Sequence, residues 1–348
     1  MATNVRQKVR VGVLLGGRSS EHSISCLSGA SLLAAIDREK FEPVPLGITE
    51  AGNWVYLEGL THHLAIVGGA LPVVPSDAPP VTVNSDGIFV AGKNLEIDLI
   101  FPVLHGPYGE DGTVQGLLEM FDIPYVGAGV LASAIGMDKA TCKRLFQEAG
   151  IPSVDFDVFF WQEWQEYKNE ITARLQDEFT LPIFVKPSRA GSSNGISKVK
   201  SWNELEAAVG LAKDFDEKIL VEAFAPGREL ECGILGDRAS RVGEIRILGN
   251  HEFYDFEAKY LDNSMQLVVP AQLDGAVLEQ IKDLALRAFK AANCSGLARV
   301  DFFYSDKGEI FINEINTMPG FTPTSVYPKL TQQIGISYSD LITKLLSA

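Results

Sequence analysis

The sequence has few cysteines, no long apolar run and no excess of positive charge. Its four cysteines lie far apart and form no Cys-x-x-Cys pair, so they predict neither a zinc site nor a disulfide framework. No apolar run approaches the ~18 residues of a membrane span, and residues 11–15 are too short an apolar run for a signal-peptide core. A net charge of −15 with a pI near 4.8 argues against a nucleic-acid partner. We therefore expect a cytoplasmic protein without membrane insertion.

The order of segments along the chain is typical of an α/β protein. Strand-like and helix-like segments alternate over 348 residues, 46% of them hydrophobic, which is enough chain for two or three domains. A strand at residues 9–15, a Gly-Gly turn and a helix to about residue 36 are similar to the start of a dinucleotide-binding domain. The Gly-x-Gly-x-x-Gly fingerprint is missing, which disfavours the alternative of an NAD-dependent dehydrogenase.

Two strand-like segments near residues 300 and 315 carry the most informative pattern. Turn residues lie between them, which predicts a β-hairpin. If Lys307-Gly308 forms a two-residue loop, Asp301 faces Glu314 and Arg299 faces Asn316. Because residues two apart on a strand share a face, all four side chains then project together.

Two facing carboxylates require a nearby cation. At ~4 Å and an effective dielectric of ~20 they repel each other by about 4 kcal/mol, and Arg299 can offset part of this repulsion. Asp301, Glu314 and the amide of Asn316 also form a cluster of hard oxygen donors that suits Mg²⁺. The sequence therefore predicts a magnesium site on this face. The alternative is a surface salt bridge centred on Arg299.

Two lysines beside a Gly/Ser-rich loop predict a phosphate-binding site. An apolar strand delivers Lys186 to the loop at residues 188–195, and a second strand follows at residues 196–199. Backbone N–H and hydroxyl groups of such a hairpin can cover phosphates. Lys139 begins a helix that ends near Gly150, and with the acidic pair downstream these lysines predict ATP held by lysines and Mg²⁺. The alternative is a plain mobile hairpin.

Two further segments carry weaker signals. A strand that ends at Glu222 and a strand that opens at Arg228 leave a short linker that can bind an adenine through its backbone, with Glu229 accepting from a ribose hydroxyl. A strand at residues 98–104 runs into a glycine-rich loop that begins at His105, at the strand end where ligands bind in open α/β sheets. The alternative for His105 is a loop histidine that caps the helix starting near Asp111.

Taken in order, these motifs resemble bacterial D-alanine–D-alanine ligases of the ATP-grasp superfamily, and the resemblance runs nearly end to end. It rests on Glu21-His22-Ser23-Ile24-Ser25, His105-Gly106, Met137-Asp138-Lys139, Val185-Lys186-Pro187, Gly191-Ser192-Ser193, Lys259-Tyr260, Arg299-Val300-Asp301, Asn313-Glu314-Ile315-Asn316, and Pro319-Gly320-Phe321-Thr322 with Ser325. The departures are small: Ser23 replaces a commoner glutamate, and Ala190 stands where Glu or Gln is frequent.

The resemblance implies an α/β ATP-grasp fold of three domains. Residues 1–130 would form an N-terminal Rossmann-like, substrate-binding domain. Residues 131–217 and 218–348 would form two α+β domains that clasp ATP, the last one with the metal and second-substrate sites. The implied reaction joins two D-alanine molecules to D-alanyl-D-alanine through a D-alanyl phosphate, with release of ADP and phosphate. It serves peptidoglycan precursor synthesis, and with it cell wall biogenesis and cell shape. Two Mg²⁺ or Mn²⁺ ions and a homodimer are also implied.

The resemblance assigns roles to individual residues. The ATP-binding residues would be Lys139, Lys186, Ser193, Glu222, Ala225 and Glu229, and the metal ligands would be Asp301, Glu314 and Asn316. Glu21 would hold the ammonium group of the first D-alanine, and His105 would lie near its carboxylate. Ser325 and Val326 would bind the second D-alanine.

The catalytic residues implied are Glu21, Ser192, Lys259, Tyr260, Arg299 and Gly320. Arg299 and the Gly320 amide would stabilise the oxyanion of the tetrahedral intermediate. Glu21, Ser192 and Tyr260 match a hydrogen-bonded trio that, in the family, ties the N-terminal domain to a mobile loop. Lys259 would reach the phosphate from that loop.

Other functions stay open at this point. A D-alanine–D-lactate or D-alanine–D-serine ligase is the alternative within the class. Lactate-type members replace the Lys-Tyr pair of the mobile loop with a histidine-containing pair, whereas Lys259-Tyr260 is intact here. A silent nucleotide-binding regulatory module is the alternative outside the class, and the complete set of site residues disfavours it.

Overall fold

The structure, a computed structural model, describes residues 8–247 and 265–348 and confirms the predicted α/β class. Lys259 and Tyr260 lie outside the described residues. The chain divides into two compact units. The first unit comprises the described residues up to Ser133, with Cys294–Ala298 and Thr317–Ala348, and the second comprises those of Ala134–Asn293 with Arg299–Asn316. The three-domain division at residues 130 and 217 stays a prediction.

The described residues form these helices: α1 (His22–Ala35), α2 (Thr113–Met120), α3 (Val130–Met137), α4 (Lys139–Glu148), α5 (Trp161–Glu178), α6 (Leu205–Lys213), α7 (Gly275–Ala291), α8 (Val326–Gln332) and α9 (Tyr338–Leu346). The helix predicted to begin at Lys139 and end near Gly150 is α4. Within the described ranges, no helix is long and apolar enough to cross a membrane.

The first unit is built on a mainly parallel sheet. Its strands are β1 (Val9–Gly16), β2 (Phe41–Ile48), β3 (Trp54–Tyr56), β4 (Val81–Asn84), β5 (Gly87–Val90), β6 (Lys93–Asn94) and β7 (Leu99–Pro102). The main sheet has the order β3-β2-β1-β7, with β1 parallel to both β2 and β7, and β4, β5 and β6 form a separate antiparallel sheet. The predicted opening strand and the strand before His105 are therefore neighbours.

The β1 strand is buried on both of its faces. Val11, Val13, Leu14 and Leu15 are fully buried, the continuous apolar run expected of a central parallel strand. Helix α1 approaches closely because Gly29 has no side chain: a Cβ at this position would lie 2.5 Å from Leu15. This packing holds the middle of α1 against Leu15, near the end of β1.

The described residues of the second unit form two sheets. Their strands are β8 (Phe156–Phe160), β9 (Ile183–Pro187), β10 (Ser197–Val199), β11 (Lys218–Ala223), β12 (Gly227–Leu235), β13 (Arg238–Ile247), β14 (Met265–Val268), β15 (Leu297–Ser305) and β16 (Ile310–Asn316). The first sheet has the order β10-β9-β11-β8 and is antiparallel, and the second has the order β14-β13-β12-β15-β16. The predicted strand pair around the Gly/Ser-rich loop is β9 and β10.

The predicted facing pairs of the β15–β16 hairpin are confirmed. Asp301 lies opposite Glu314 and Arg299 lies opposite Asn316, so the four side chains share one face.

The predicted two-residue loop of this hairpin is wrong. The amide of Ser305 donates to the carbonyl of Glu309 at 2.9 Å, which leaves a three-residue loop that ends with Gly308 at φ 82°. An odd loop alone would turn Glu314 to the opposite face. A one-residue bulge restores the register, because Asn313 is an extra residue on β16 and has no counterpart on β15.

The contribution of the apolar core to the stability of the second unit can be measured with one buried and one exposed leucine. Leu175 on α5 is 0% exposed within this core, whereas Leu211 on α6 is 45% exposed. We expect Leu175→Ala to lower the free energy of unfolding by about 2–5 kcal/mol and Leu211→Ala to change it by less than about 0.5 kcal/mol. Urea denaturation followed by circular dichroism measures both values, and equal losses would contradict the assigned core.

Candidate active site

An acidic face on β15 and β16 forms the centre of the candidate site in the second unit. The Arg299 guanidinium donates to both carboxylate oxygens of Asp301, each at 2.7 Å, and the Asn316 amide donates to Asp301 at 3.0 Å. Nε of Arg299 also lies 3.1 Å from a carboxylate oxygen of Glu231 on β12. Arg299 therefore offsets the carboxylate repulsion as the sequence predicts, and it does so for a third carboxylate as well.

Lys139 provides a second cation at this face. Its Nζ lies 3.3 Å from a carboxylate oxygen of Glu314 and donates to the carbonyl of Ala190 at 2.7 Å. This ammonium group thus joins the acidic strand β16 to the Gly/Ser-rich loop after β9.

Asp138 fixes the start of α4 and hence the position of Lys139. Its carboxylate caps the helix by accepting from the Thr141 amide at 3.0 Å, as an N-cap aspartate does. The same carboxylate accepts from the Ser188 hydroxyl at 2.7 Å and from Nζ of Lys218 at 2.8 and 2.9 Å. Burial acts to raise the pKa of Asp138, but these hydrogen bonds outweigh it and lower the pKa below its ordinary value.

Lys186, the lysine that the sequence assigns to ATP, belongs to a buried group of three charges. Lys186 on β9 pairs with one carboxylate oxygen of Glu222 on β11, and Nζ of Lys143 on α4 lies 2.7 Å from the other. Burial acts to raise the pKa of Glu222, but the two ammonium groups outweigh it and lower the pKa. Burial lowers the pKa of Lys186, and Glu222 opposes that effect.

The Gly/Ser-rich loop has the strained backbone of a tight turn. Ser192 and Ser193 adopt φ values of 50° and 59°, a conformation that few residues other than glycine adopt, and Gly195 follows at 73°. Consecutive amides in such turns form concave anion-binding surfaces. The loop therefore suits the phosphate contact predicted for Ser193.

The linker between β11 and β12 lies where the sequence predicts it. Glu222 is the last buried residue of β11, Ala225 lies in the linker, and Glu229 lies on β12 opposite Ile245. The exposed ring of Phe224 in the linker packs 6.0 Å from the ring of Phe184. An aromatic surface therefore adjoins the backbone proposed to bind adenine.

Glu21 lies over the loop that follows β7 in the first unit. It is buried just before α1, and a Cβ on Gly106 would lie 2.6 Å from its carboxylate. Ser19 links the same two segments, because its hydroxyl accepts from the Glu21 amide at 3.1 Å and donates to the carbonyl of His105 at 2.5 Å.

The ring of His105 joins its loop to the chain after β16. Nδ1 lies 3.0 Å from the carbonyl of Met318, which can only accept, so Nδ1 carries a proton. Nε2 lies 3.0 Å from the hydroxyl of Ser28. The alternative that His105 caps the following helix is wrong, because Gly112 occupies the N-cap position of α2 and the carboxylate of Asp111, not His105, accepts from the Thr113 amide at 3.0 Å.

The residues predicted for the second D-alanine lie together in the first unit. Ser325 is the N-cap residue of α8, which begins at Val326. Its hydroxyl accepts from the Thr322 amide at 3.1 Å, and a Cβ on Gly320 would lie 3.2 Å from the same oxygen. The first unit therefore brings Gly320, Ser325 and Val326 into one short segment after β16.

The donor set on the acidic face fits a hard divalent cation. Two facing carboxylates and an amide oxygen are ligand types that Mg²⁺ and Mn²⁺ prefer, and Asp301, Glu314 and Asn316 present them from adjacent strands. The described residues contain no cluster of three or more His, Cys, Asp or Glu side chains positioned for a metal. An ion at this face would therefore take its remaining ligands from water and phosphate.

Two family models match the chain. The model "D-ala D-ala ligase N-terminus" matches residues 10–128, and "D-ala D-ala ligase C-terminus" matches residues 145–347. The chain belongs to the D-alanine–D-alanine ligase family. The predicted family is thereby confirmed, and members of this ligase family use ATP and a divalent metal ion.

Relatives of the family align over nearly the whole chain. D-alanine–D-alanine ligases of Mycolicibacterium vanbaalenii and Mycobacterium avium are 49% and 48% identical, with 97% and 99% of this chain and 96% and 97% of the relatives covered. The solved structure of the VanG D-Ala:D-Ser ligase from Enterococcus faecalis is 36% identical with a TM-score of 0.86, over 98% of this chain and 99% of that chain. The D-alanine–D-alanine ligase from Coxiella burnetii is 33% identical with a TM-score of 0.82, over 98% and 94%. The predicted ATP-grasp fold is confirmed.

Three charged residues of the site were missed by the sequence interpretation. Lys143 follows Lys139 by four residues on α4, so the helical period could have placed both on one face. Glu231 follows Glu229 by two residues on β12, so the strand period could have placed both glutamates on one face of the sheet. Lys218 carries no local signal, because its partner Asp138 is 80 residues away in sequence.

The ion pair at the start of α4 predicts a dependence of stability on pH. Asp138→Asn keeps a capping oxygen but loses the charge that binds Lys218, so we expect it to lower the free energy of unfolding near neutral pH by about 1.5–3 kcal/mol. A lowered pKa in the folded state means that the stabilisation is complete above the ordinary pKa of 3.8 and is lost as the pH falls through the folded value.

The difference between wild type and Asp138→Asn should therefore be constant at neutral and weakly acidic pH and shrink below about pH 3.8. Chemical denaturation at several pH values measures it. A difference that stays the same at the lowest pH would show that the charge of Asp138 does not stabilise the fold.

Proposed function

We propose that this protein joins two D-alanine molecules to D-alanyl-D-alanine at the expense of ATP, for peptidoglycan precursor synthesis. The first D-alanine accepts the γ-phosphoryl group on its carboxylate, and the amine of the second attacks the resulting D-alanyl phosphate, with release of ADP and phosphate. The observation that carries this proposal is the acidic face of Asp301 and Glu314, bordered by Arg299 and Lys139. Carboxylates and cations of this kind are the parts that phosphoryl transfer uses.

ATP binds to the second unit in this proposal. Lys139, Lys186 and Ser193 contact its phosphates, supported by the position of both lysines beside the Gly/Ser-rich loop. Glu222, Ala225 and Glu229 frame the adenine and ribose, supported by the exposed aromatic linker between β11 and β12.

Asp301, Glu314 and Asn316 would hold the metal, which we propose to be two Mg²⁺ or Mn²⁺ ions. Metal held by these residues would supply positive charge that neutralises the transferring phosphoryl group. Arg299 and the Gly320 amide stabilise the oxyanion that develops when the amine attacks. The guanidinium is already oriented for such a role by its bidentate bond to Asp301.

The two D-alanine molecules use residues of the first unit. Glu21 binds the ammonium group of the first, with His105 near its carboxylate, and Ser325 and Val326 bind the second. Buried Glu21 beside Gly106 supports the first assignment. Ser192, Lys259 and Tyr260 complete the proposed catalytic set, the last two from outside the described residues.

We also propose a cytoplasmic homodimer without nucleic-acid or membrane partners. D-alanine and ATP are the substrates of the family. The strongly negative charge, −15, supports the absence of a nucleic-acid partner.

D-alanine–D-serine ligation is the second candidate function. The likeness to the Enterococcus faecalis D-Ala:D-Ser ligase favours it, whereas the greater identity to relatives named D-alanine–D-alanine ligases favours D-alanine. D-alanine–D-lactate ligation is disfavoured by Lys259-Tyr260, and a silent nucleotide-binding regulatory module is disfavoured by the complete set of charged residues.

Product analysis separates these functions. Purified protein with ATP and Mg²⁺ should release phosphate with D-alanine and form D-alanyl-D-alanine, and it should be inactive with L-alanine or without an amino acid. In equimolar mixtures of D-alanine with D-serine or D-lactate, the dipeptide of D-alanine should dominate on chromatography. Predominant D-alanyl-D-serine would transfer the assignment to the second candidate, and no phosphate release with any amino acid would favour the silent module.

The metal site gives a second test of the function. Asp301→Asn removes one of the facing carboxylates, so we expect it to lower kcat at least about 100-fold, since metal charge stabilisation amounts to several kcal/mol. Asp306→Asn is the matched control, because Asp306 is exposed in the loop of the same hairpin. Phosphate release with ATP and D-alanine measures both variants. Activity of Asp301→Asn close to that of the control would remove Asp301 from the metal site.

A further inference from the structure

Lys143 is a buried lysine that is not among the residues proposed to bind ATP, metal or D-alanine. It lies one turn after Lys139 on α4 and is 0% exposed, and its partner Glu222 is 3% exposed. Lys143 occupies one carboxylate oxygen of Glu222 and Lys186 occupies the other. Glu222 therefore bridges an internal lysine and the lysine proposed to contact ATP.

The charges of this buried group do not cancel. Two ammonium groups share one carboxylate, which leaves one positive charge in surroundings that penalise an unpaired ion. Lys139 adds further positive potential at Lys186 from the same helix as Lys143. An anion that reaches Lys186 would balance this excess, and phosphate groups are anions of this kind.

We propose that Lys143 is a positioning residue for nucleotide binding, because it binds the Glu222 carboxylate and so leaves the positive charge of Lys186 for the phosphates of ATP. This inference rests on the proposed function. Without Lys143, Glu222 and Lys186 would form a neutral one-to-one pair. The carboxylate of Glu222 would then neutralise Lys186, and less positive charge would be left for the phosphates of ATP. The helix thus supplies Lys139 to the acidic face and Lys143 to the carboxylate behind Lys186.

The titration of Lys186 supports this assignment. Burial lowers the pKa of Lys186, Lys143 and Lys139 on α4 act in the same direction, and Glu222 on β11 opposes them. The charge of Lys186 is lost as the pH rises through its pKa. Removing the charge of Lys143 raises that pKa, so the alkaline loss of ATP binding moves to higher pH.

Lys143→Met tests the proposal, because it keeps an unbranched stem and deletes the charge. We expect the KM for ATP and the Kd of Mg²⁺-ADP measured by calorimetry to rise about tenfold, the effect of one charge in partly screened surroundings. The KM for D-alanine and kcat should stay within about twofold. Arg144→Met, on the exposed face of the same helix, is the matched control and should leave the Kd of ADP unchanged.

The Glu222→Gln background separates positioning from a direct contact. Lys143 has no carboxylate to bind in that background, so Lys143→Met should cause no further loss of ADP affinity when added to Glu222→Gln. Comparison of Glu222→Gln with the double variant also tests the proposal if the single Lys143→Met variant does not fold. A tenfold loss that persists in the Glu222→Gln background would overturn the proposal.

One result with Lys143→Met alone would also contradict the proposed role of Lys143. Wild-type affinity for ADP with a lowered Tm and an unmoved pH profile would make Lys143 part of a structural ion pair only, and the inference would fail while the proposed function stands. Conversely, if wild type makes no dipeptide but binds ADP, and Lys143→Met weakens that binding, the proposed function fails and the role of Lys143 stands.

Discussion

The register of β15 against β16 decides which side chains share the acidic face of the second unit. Asp301 and Glu314 face one another only because a three-residue loop and a one-residue bulge at Asn313 offset each other. The opposite face of the same strands is apolar and buried, with Val300 and Ile315 in the core. A slip by one residue would therefore bury the carboxylate and expose the isoleucine, so the core fixes the register of the oxygen donors.

Facing carboxylates are tolerated here because the surrounding elements supply cations at fixed positions. Arg299 comes from the same strand as Asp301, and Lys139 comes from the start of α4, where Asp138 and Lys218 hold the helix end. Each cation is placed by ordinary folding features: strand alternation for the arginine and an N-cap for the lysine. The charge pattern of the site is thus a consequence of the local structure around it.

Local patterns in the sequence were sufficient for elements whose partners are near in sequence. Helix α4 lies where the sequence predicts it, from Lys139 to near Gly150, and the facing pairs of the hairpin followed from strand alternation. The bulge at Asn313 could not be predicted, because no glycine or proline marks it and its effect cancels that of the odd loop.

Local sequence patterns could not predict contacts between segments that are distant in sequence. The ring of His105 binds the carbonyl of Met318, 213 residues away, so the local alternative of a helix cap was wrong. The pairing of Lys143 with Glu222 joins a helix to a strand of the second unit, and only the fold shows that this lysine is buried. Composition and spacing identify which charges are present, whereas tertiary packing decides which of them neutralise one another.

We propose that Asp301 and Glu314 form a divalent-metal site that works together with a nucleotide. Electron paramagnetic resonance of free Mn²⁺, titrated with ADP-saturated wild type and Glu314→Gln, tests it most directly. Wild type should remove Mn²⁺ from the free pool, and Glu314→Gln should bind it much more weakly while still binding ADP. Equal Mn²⁺ binding by the two proteins would contradict the assignment of the facing carboxylates as metal ligands.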